Sequence, residues 1–187
     1  DASARTATKV SLLGSLYPAP GADLAKAQRE LTQTSVCQPA MAALGIALGE
    51  WLVSLGVTPA AVLGHSLGEF AAASVAGMLS SAEAVALVAK RGALMDGLGL
   101  KDPGAMLAVM AERPRVAALI EGLKDVWVAN HNHPTQVVLS GTTPGVAAAK
   151  KLLTEAGLKV SALDVSHAFH SPLLAGIDAK MGELLQG

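Results

Sequence analysis

The stretch AAVLGHSLGEFAAASVAGM, residues 60–78, constrains the fold more than any other part of the sequence. Its first four residues, 60–63, are apolar and uncharged, which predicts a short strand buried on both faces. Residues 67–75 predict a helix, closed by the glycine at position 77. Between strand and helix lies the pentapeptide GHSLG, in which two glycines flank one serine. A buried strand that turns directly into a helix indicates an α/β fold.

The composition favours the same fold class. The 187-residue chain is 51% hydrophobic but only 3% aromatic, so its core is built from Ala, Val and Leu, which suits helix-on-sheet packing. The net charge is -1 and the sequence has no basic stripe, so we expect neither nucleic acid nor an anionic membrane surface as a partner. A single cysteine, Cys37, excludes an internal disulfide framework and fits a reducing cytoplasm. We interpret it as a buried small hydrophobe rather than a catalytic thiol.

Two long uncharged windows raise the question of a membrane span. Residues 31–49 contain several polar side chains, and residues 51–68 are broken by glycine, threonine and proline. We expect neither window to cross a membrane, which takes about 20 predominantly apolar residues. The sequence does not open with the basic, apolar and cleavage regions of a signal peptide. These features predict a soluble, cytoplasmic protein.

Hydrophobic periodicity separates the chain into two blocks. The first block has helices predicted at 34–55, 67–75 and about 81–98, the last with a capping box of Ser80 and Glu83. The second block has strands predicted at 106–110, 126–129, 136–139 and 158–163, and helices at 114–121 and 144–156. Its order β-α-β-β-α-β is the split arrangement of a ferredoxin-like unit.

These blocks give the predicted domain organisation. We expect an α/β-hydrolase-like core with a parallel sheet, formed by residues 1–101 and by 165–187 where the chain returns to it. A ferredoxin-like (βαββαβ) subdomain, residues 102–164, is inserted between these parts.

The GHSLG turn has the form of a nucleophile elbow, in which a serine sits on a tight turn between a strand and a helix. Such a turn lifts the Ser66 hydroxyl above the sheet edge, and the new helix offers N–H groups and the positive end of its dipole to an oxyanion. The N–H of Leu67 is placed to donate to that oxyanion. A simple tight turn without catalytic function is the alternative.

A serine becomes a good nucleophile only when a base takes its proton. Of the five histidines, His65 adjoins the serine, and its ring would point away from the hydroxyl at an elbow. The other four lie in NHNHPTQVVLSG and HAFHSPLL. His167 and His170 are also spaced like a metal pair, but no carboxylate or cysteine spacing supports one, so we predict no metal site.

Four motifs resemble those of a known family. GHSLGEFAAASVAGM, KRGALM, NHNHPTQVVLSG and HAFHSPLL occur in the order and spacing of acyltransferase domains. These domains are the malonyl-CoA:acyl-carrier-protein transacylases of fatty acid synthesis and their polyketide synthase relatives. The segment LTQTSVCQPAMAALGIALGEWL is most similar to the synthases of polyunsaturated fatty acid and enediyne type.

The resemblance implies a role for three residues. Ser66 matches the acylated serine, His170 the general base, and Arg91 the arginine that holds the malonyl carboxylate. The chemistry agrees, because an imidazole can take and return a proton near neutral pH and a guanidinium can bind a carboxylate through two N–H bonds.

Further residues enter the predicted substrate site through the same resemblance. Phe169, directly before the base, matches the malonyl-selective form and would crowd an α-methyl group, a discrimination of about 1–3 kcal/mol. Asn130 and Asn132 match asparagines that brace the turn facing the site. The candidate substrate-binding residues are Arg91, Leu67, His65, His167, Phe169 and Asn132.

The sequence departs from the family at two places. It lacks the Gly-Gln-Gly loop whose glutamine places a second N–H in the oxyanion hole, and the family continues well past the base. We therefore expect an interior piece of the family domain, truncated at both ends. Losing one oxyanion donor costs about 2.7–4 kcal/mol in the transition state, so we expect this piece alone to be weakly active or inactive.

The expected function is transfer of a malonyl group from CoA to the phosphopantetheine thiol of an acyl carrier protein, through an acyl-Ser66 intermediate and without a bound cofactor. Neighbouring domains of a multidomain synthase are expected partners. One alternative is an α/β-hydrolase such as an esterase or thioesterase, which would require a catalytic acid such as Asp96, Asp102 or Asp125. Another is a catalytically inactive scaffold domain of a synthase.

Overall fold

The computed structural model describes residues 11–186. The chain divides into two compact units, Asp1–Gly97 and Leu98–Gly187. The expected partition into 1–101, 102–164 and 165–187 remains a prediction. Of the first 20 residues, expected to form loop or short helix, 1–10 lie outside the described residues and Leu12–Leu16 forms a helix.

The described part of the first unit contains helices and no strand. The helices are α1 (Leu12–Leu16), α2 (Leu24–Thr32), α3 (Thr34–Ser54), α4 (Gly68–Val75) and α5 (Ser81–Asp96). The three predicted helices are confirmed to within two residues at each end. The predicted capping box is present at the start of α5, where Ser80 accepts from the N–H of Glu83 and the Glu83 side chain accepts from the N–H of Ser80.

Glycines allow α3 to approach α4 and α5 closely. A Cβ on Gly92 of α5 would lie 2.6 Å from the carbonyl oxygen of Thr34 on α3. A Cβ on Gly45 would meet Ala71 at 3.3 Å, and one on Gly49 would meet Val75 at 2.5 Å. Since no larger residue fits at such contacts without a shift, the position of helix α4 depends on small residues of α3.

One face of α3 is exposed although it is apolar. The residues that gave its helical periodicity, Met41, Leu44, Leu48, Trp51, Leu52 and Leu55, are exposed. The opposite side buries Val36, Gln38, Ala40, Ala42 and Ile46. The spacing therefore identified the helix correctly, but it did not identify the side that packs.

Among the described residues, one helix, α3, is long and apolar enough to cross a membrane. The sequence expectation rejected the overlapping window 31–49 because of its polar residues, yet the mean hydropathy of the helix outweighs them. A buried helix in the core of a globular protein can also have this length and hydropathy. Here the polar residues Thr34 and Gln38 lie on the side of α3 that is buried in the first unit.

The predicted buried strand at 60–63 is wrong for the described structure. These four residues are irregular and exposed, and Leu63 is 92% exposed. A strand exists only when a neighbouring strand satisfies its backbone groups, and within residues 11–186 none pairs with this segment. The structure shows an α/β fold whose described sheet is small and antiparallel, so a parallel, hydrolase-like core is not observed.

The second unit has the predicted element order β-α-β-β-α-β. Its elements are β1 (Ala105–Met110), α6 (Arg113–Ile120), β2 (Val126–His133), β3 (Gln136–Gly141), α7 (Thr143–Glu155) and β4 (Lys159–Ala162), followed by a 3₁₀ turn (Pro172–Leu174) and α8 (Ile177–Gln186). The strand order is β2-β3-β1-β4, and all three pairings are antiparallel. The sheet and its helices enclose a core that includes the fully buried Leu107, Val109, Val116, Leu139 and Leu153.

The strands predicted at 126–129 and 136–139 leave a polar segment between them as a turn, and the observed turn is shorter than that segment. Strand β2 continues to His133, which leaves only Pro134 and Thr135 between the paired residues His133 and Gln136. The register shifts twice along β2, once between Val128 and Asn130 and once between His131 and His133. Polar side chains can occupy this strand because its end is exposed, so polarity was a misleading sign of a turn.

Candidate active site

Ser66 has the backbone geometry of a nucleophile elbow. Its φ is 55°, in the left-handed region that few non-glycine residues adopt. Two hydrogen bonds close the turn. The N–H of Gly68 donates to the carbonyl of His65 at 2.9 Å, and the N–H of Glu69 donates to the carbonyl of Ser66 at 3.0 Å. Strained backbone of this kind costs about 1–3 kcal/mol and is concentrated at functional sites. The predicted turn is thus present, and helix α4 follows it directly.

The two glycines of the GHSLG turn have different roles. A Cβ on Gly64 would overlap the backbone of Gly68 and Glu69, so Gly64 permits the chain to pass close to the start of α4. A Cβ on Gly68 would meet nothing within 4 Å. The GHSLG spacing predicts that both glycines leave room for neighbouring elements to approach, which is correct for Gly64 and wrong for Gly68.

The residues beside Ser66 are arranged along the first turn of α4. Leu67 already has helical angles, φ −54° and ψ −33°, so its N–H belongs to the helix start, where N–H groups have no carbonyl partner within the helix and the dipole favours an anion. Ser66 and Leu67 are half-buried, and His65 is exposed. This environment is compatible with an oxyanion site beside a reachable hydroxyl.

Arg91 lies in the same unit as Ser66 and contacts two other helices. Its Nη1 donates to Oε1 of Gln38 on α3 at 2.6 Å. Its guanidinium carbon lies 5.9 Å from the ring centroid of Phe70 on α4, within the range of a cation–π contact. Since Phe70 lies four residues after Ser66, in the short helix α4 that follows the serine turn, Arg91 is held next to that helix.

Gln38, the hydrogen-bond partner of Arg91, is absent from the residues predicted from the sequence, because glutamines were considered only as members of a loop. The residue is 4% exposed, and its Nε2 donates to Sδ of Met95 at 3.0 Å. The signal that could have revealed it is an amide inside an otherwise apolar helix, because a buried polar side chain requires a partner.

The HAFH motif forms a tight turn in the second unit that is held by hydrogen bonds. The N–H of the buried Ala168 donates to the carbonyl of Pro103 at 2.8 Å, and the Ser171 hydroxyl donates to the carbonyl of Ala168 at 2.7 Å. A Cβ on Gly104 would lie 2.5 Å from that of Ala168, so this glycine permits the contact. His170 has a φ of 57° and is exposed. The proposed base is therefore presented on strained, anchored backbone.

His167 and Phe169 face each other across this turn. Their ring centroids lie 6.1 Å apart at an angle of 51°. His167 is 9% exposed, and its Nδ1 lies 3.1 Å from the Ser166 hydroxyl. These contacts indicate that His167 supports the turn and Phe169, whereas Phe169 itself is only half-buried.

Asn130 and Asn132 lie in strand β2 rather than in the turn after it. Asn132 is exposed and is the residue skipped by the register shift between His131 and His133. An extra residue of this kind bends a strand and re-aims its side chain, and such bulges are frequent beside active sites. Both asparagines thus lie near the end of a strand rather than in a turn, and their role as braces remains a prediction.

The candidate acids of a hydrolase triad have structural contacts. Asp96 accepts from the N–H of Ser35 at 3.0 Å, and Asp102 accepts from the hydroxyl and N–H of Thr143 at 2.6 and 2.8 Å. The pKa of Asp102 is held below its ordinary value mainly by the hydrogen bond from the Thr143 hydroxyl. The N–H groups of Thr143 and Gly104 lower it further. Asp125 occupies a left-handed turn. These contacts favour capping and turn formation over catalysis.

Cys37 shows no sign of activation. Its thiol is half-buried, and desolvation raises the pKa of Cys37, whereas a reactive cysteine needs a lowered one. Across residues 11–186, no three His, Cys, Asp or Glu side chains come close enough to hold a metal ion.

The predicted site residues thus fall into two sets. The first unit contains Ser66, His65, Leu67 and Arg91, and brings Arg91 next to Phe70 on the serine's helix. The second unit contains Asn132, His167, Phe169 and His170, with the last three in one turn. The convergence of Ser66 and His170 remains a prediction.

Comparison with known proteins places this chain in a family. The sequence matches the family model described as the acyl transferase domain over residues 16–186. This chain belongs to the acyl transferase domain family. Polyketide synthase GfsB of Streptomyces halstedii is 42% identical over 179 residues, which cover 94% of this chain and 3% of that protein.

Solved structures agree with the acyl transferase assignment. The acyltransferase domain from the second module of the salinomycin polyketide synthase is 41% identical, with a TM-score of 0.81 over 97% of this chain and 41% of its own. A malonyl-transacylase in complex with its type II polyketide synthase acyl-carrier protein is 28% identical, with a TM-score of 0.86 over 100% of this chain and 60% of that one. The chain is similar to acyltransferase domains of polyketide synthases and to transacylases, and it spans less than two thirds of each of these relatives.

Proposed function

We propose that this domain transfers a malonyl group from CoA to the phosphopantetheine thiol of an acyl carrier protein, with Ser66 as nucleophile and His170 as base. The observation that carries the proposal is the left-handed backbone of Ser66 at the start of α4, in a unit that also holds Arg91 beside that helix. A strained serine and a nearby guanidinium together suit acyl transfer of an anionic acyl group.

In the proposed first half-reaction, the His170 imidazole takes the proton from the Ser66 hydroxyl as its oxygen attacks the thioester carbonyl. The N–H of Leu67 stabilises the tetrahedral oxyanion. The carbon–sulfur bond then breaks, CoA leaves with the proton returned by His170, and a malonyl ester of Ser66 is formed. In the second half-reaction the carrier-protein thiol attacks that ester by the same route in reverse.

Selectivity for malonyl is assigned to Arg91 and Phe169. A charge-assisted bond from the guanidinium is worth about 1.5–3 kcal/mol, which favours a dicarboxylic acyl group by roughly 10- to 150-fold over an acetyl group. Phe169 would exclude an α-methyl group by occupying the space it needs. His65, His167 and Asn132 line the site without taking part in bond formation.

The proposed domain organisation and partners are those expected of the acyl transferase domain family. We propose that residues 102–164 form the ferredoxin-like subdomain of an α/β-hydrolase-like core, because the second unit has the β-α-β-β-α-β order with antiparallel pairing. The acyl carrier protein in the complex of a related malonyl-transacylase and the multidomain relative GfsB support a carrier protein and adjacent synthase domains as partners. The chemistry requires no resident cofactor, and we propose a cytoplasmic location, where CoA thioesters are made.

Intact-mass measurement after mixing the chain with malonyl-CoA or acetyl-CoA tests this function. We expect a malonyl adduct that forms slowly, in keeping with the weak activity expected of this piece alone, that exceeds the acetyl adduct and that is absent in Ser66→Ala. Ser74→Ala, a serine later in the same helix, is the matched control and keeps the adduct. Release of free malonate without an adduct would support the hydrolase alternative instead, and neither adduct nor acid would support a scaffold.

A further inference from the structure

We propose that Asp102 is a positioning residue for the base, which fixes the HAFH turn and with it the place of His170. This inference rests on the proposed function, because it assigns Asp102 a part in the use of His170 as a base. The observation behind it is a continuous series of hydrogen bonds. It runs from the Asp102 carboxylate through one peptide unit to Ala168, two residues before His170.

The peptide unit between Pro103 and Gly104 carries the connection. Its N–H, which belongs to Gly104, donates to Asp102 Oδ1 at 2.9 Å. Its carbonyl, which belongs to Pro103, accepts from the N–H of Ala168 at 2.8 Å. The unit is trans, so it is planar and its N–H and C=O point in opposite directions. The bond to Asp102 therefore also sets the direction of the carbonyl that holds Ala168.

Asp102 is itself held by the start of α7. Its Oδ1 also accepts from the Thr143 hydroxyl at 2.6 Å, and its Oδ2 accepts from the Thr143 N–H at 2.8 Å. Thr143 is the first residue of α7, where helix N–H groups have no carbonyl partner within the helix and the dipole favours a negative charge. Hydrogen bonds to a charged acceptor are stronger than bonds between neutral groups, so the carboxylate fixes the segment before β1 against α7.

At the other end of the series, the HAFH turn is tied to Pro103. Both backbone groups of the buried Ala168 are bonded, its N–H to Pro103 and its carbonyl to the Ser171 hydroxyl at 2.7 Å. Gly104, at a φ of 79°, lacks the side chain that would overlap Ala168, so the two segments lie close together. His170 follows Ala168 by two residues at a φ of 57°, and a shift of the Ala168 backbone therefore moves the imidazole.

The position of a base controls the rate of the step that it assists. A base must lie within hydrogen-bond reach of the hydroxyl that it deprotonates, about 2.6–3.2 Å, and a displacement of about 1 Å costs up to about 100-fold in rate. Such a loss is the same for malonyl and acetyl substrates, because the base acts on the Ser66 hydroxyl and not on the acyl group. This separates the role of Asp102 from that of Arg91, whose loss changes the preference between the two substrates.

Acylation of Ser66 by malonyl-CoA and by acetyl-CoA, followed by intact mass in quenched time courses, tests this role. For Asp102→Ala we expect the rate constant at saturating substrate to fall by about 10- to 100-fold with both substrates. The half-saturating concentration should stay within about 2-fold. Thr143→Val removes the hydroxyl donor and should lower the same rate constant by about 3- to 10-fold, whereas Thr143→Ser keeps the donor and should stay within about 2-fold of the unsubstituted chain.

Two comparisons separate positioning from a general loss of stability. Thr142→Ala removes the side-chain cap of α7, the bond from the Gly145 N–H at 3.1 Å, and leaves the Asp102 bonds in place. It should destabilise the unit without changing the rate constant of the folded chain. Asp102→Ala combined with His170→Ala should acylate at the rate of His170→Ala alone, because a residue that acts only through the base has nothing left to position.

The histidine resonances give a second readout that does not depend on activity. In a chain with isotope-labelled histidine Cε1 atoms, the resonance of His170, assigned from its absence in His170→Ala, reports the surroundings of the imidazole. We expect it to shift or broaden in Asp102→Ala and to stay in place in Thr142→Ala. His131 and His133, which lie on β2, are internal references whose resonances should not change.

Three results would overturn the inference. These are an unchanged rate constant in Asp102→Ala when His170→Ala lowers it, an equal loss in Thr142→Ala, or a further loss when Asp102→Ala is added to His170→Ala. Should Asp102→Ala fail to fold, judged by circular dichroism, Thr143→Val and Thr143→Ser decide the question by rate and by the His170 resonance. If the unsubstituted chain forms no adduct on Ser66, the proposed function fails, and the His170 resonance still shows whether the Asp102 bonds fix the turn.

Discussion

At the scale of single residues, the site depends on backbone that few side chains tolerate. Ser66 and His170 both have φ near 56° in the left-handed region, at 55° and 57°. Each conformation costs about 1–3 kcal/mol and persists only where the surroundings enforce it. For Ser66 the enforcing contact is the approach of Gly64 to the start of α4, and for His170 it is the anchored turn at Ala168.

Gly64→Ala should destabilise the first unit more than Gly68→Ala does. The new Cβ at position 64 would overlap the backbone of Gly68 and Glu69, whereas the one at position 68 meets nothing within 4 Å. We expect a loss of about 1–3 kcal/mol in the free energy of unfolding for Gly64→Ala, since backbone must shift. Gly68→Ala should be neutral or stabilising by up to about 1 kcal/mol, because alanine is the better helix former. Urea unfolding followed by circular dichroism measures both, and equal effects would contradict the assigned roles.

At the scale of elements, contacts between segments distant in sequence set the site. Helix α5 carries Arg91, but α3 supplies its acceptor and α4 its aromatic neighbour. In the second unit, Asp102 joins the segment before β1 to the N-terminus of α7 through Thr143. The Asp102 carboxylate also accepts from the N–H of Gly104. It thereby holds in place the segment in which Gly104 lies close to Ala168 of the HAFH turn.

Asp102 should make the second unit sensitive to acid. The hydrogen bonds from Thr143 and Gly104 lower the pKa of Asp102 in the folded state, so its stabilising effect is fully present above the unfolded pKa of about 4 and is lost as the pH falls through the lower folded value. We expect Asp102→Asn to be less stable than the unsubstituted chain at pH near 7, with the difference shrinking below a pH of about 4.

Fluorescence of Trp127 on β2, in a Trp51→Phe background, follows unfolding of the second unit separately. Asp164→Asn is the control, because Asp164 is an exposed aspartate of the same unit, and it should show no such pH-dependent difference. A difference between Asp102→Asn and the unsubstituted chain that is constant with pH would refute the assigned role of the carboxylate.

At the scale of the whole molecule, the exposed apolar stripe of α3 is the main departure from an ordinary surface. Met41, Leu44, Leu48, Trp51 and Leu52 recur at helical spacing along α3, Leu55 follows directly after its end, and all six are at least 36% exposed. Contiguous apolar surface of this kind promotes association in water. The stripe belongs to a helix whose other side is well packed, so association does not require unfolding.

The pair of substitutions Leu48→Lys and Leu52→Lys should therefore reduce self-association without unfolding the chain. Both side chains are exposed, at 49% and 45%, and surface changes alter the free energy of unfolding by about 0.5 kcal/mol or less. Ile46→Lys is the contrasting control, because Ile46 is 3% exposed and an unpaired buried charge destabilises by about 3 kcal/mol or more. Sedimentation velocity over a range of concentrations measures association, and similar behaviour of the two variants would refute this description of α3.

The sequence was sufficient for features that short-range physics decides. Helical periodicity, the Ser80–Glu83 capping box and the alternation of strands and helices after residue 101 are local patterns, and the corresponding elements formed as predicted. The serine turn was also predictable from five residues, although only Gly64 of its two glycines is required by a close backbone approach.

Only the tertiary structure decided features that depend on a distant neighbour. The apolar run at 60–63 has the composition of a strand but no partner strand in the described structure, so it stays irregular. Strand β2 extends through the polar residues up to His133 because β3 supplies partners for its backbone. Gln38 meets Arg91 at a sequence separation of 53 residues, and no local pattern encodes such a contact. Backbone pairing and side-chain partners are properties of two segments together, which a single segment's sequence does not contain.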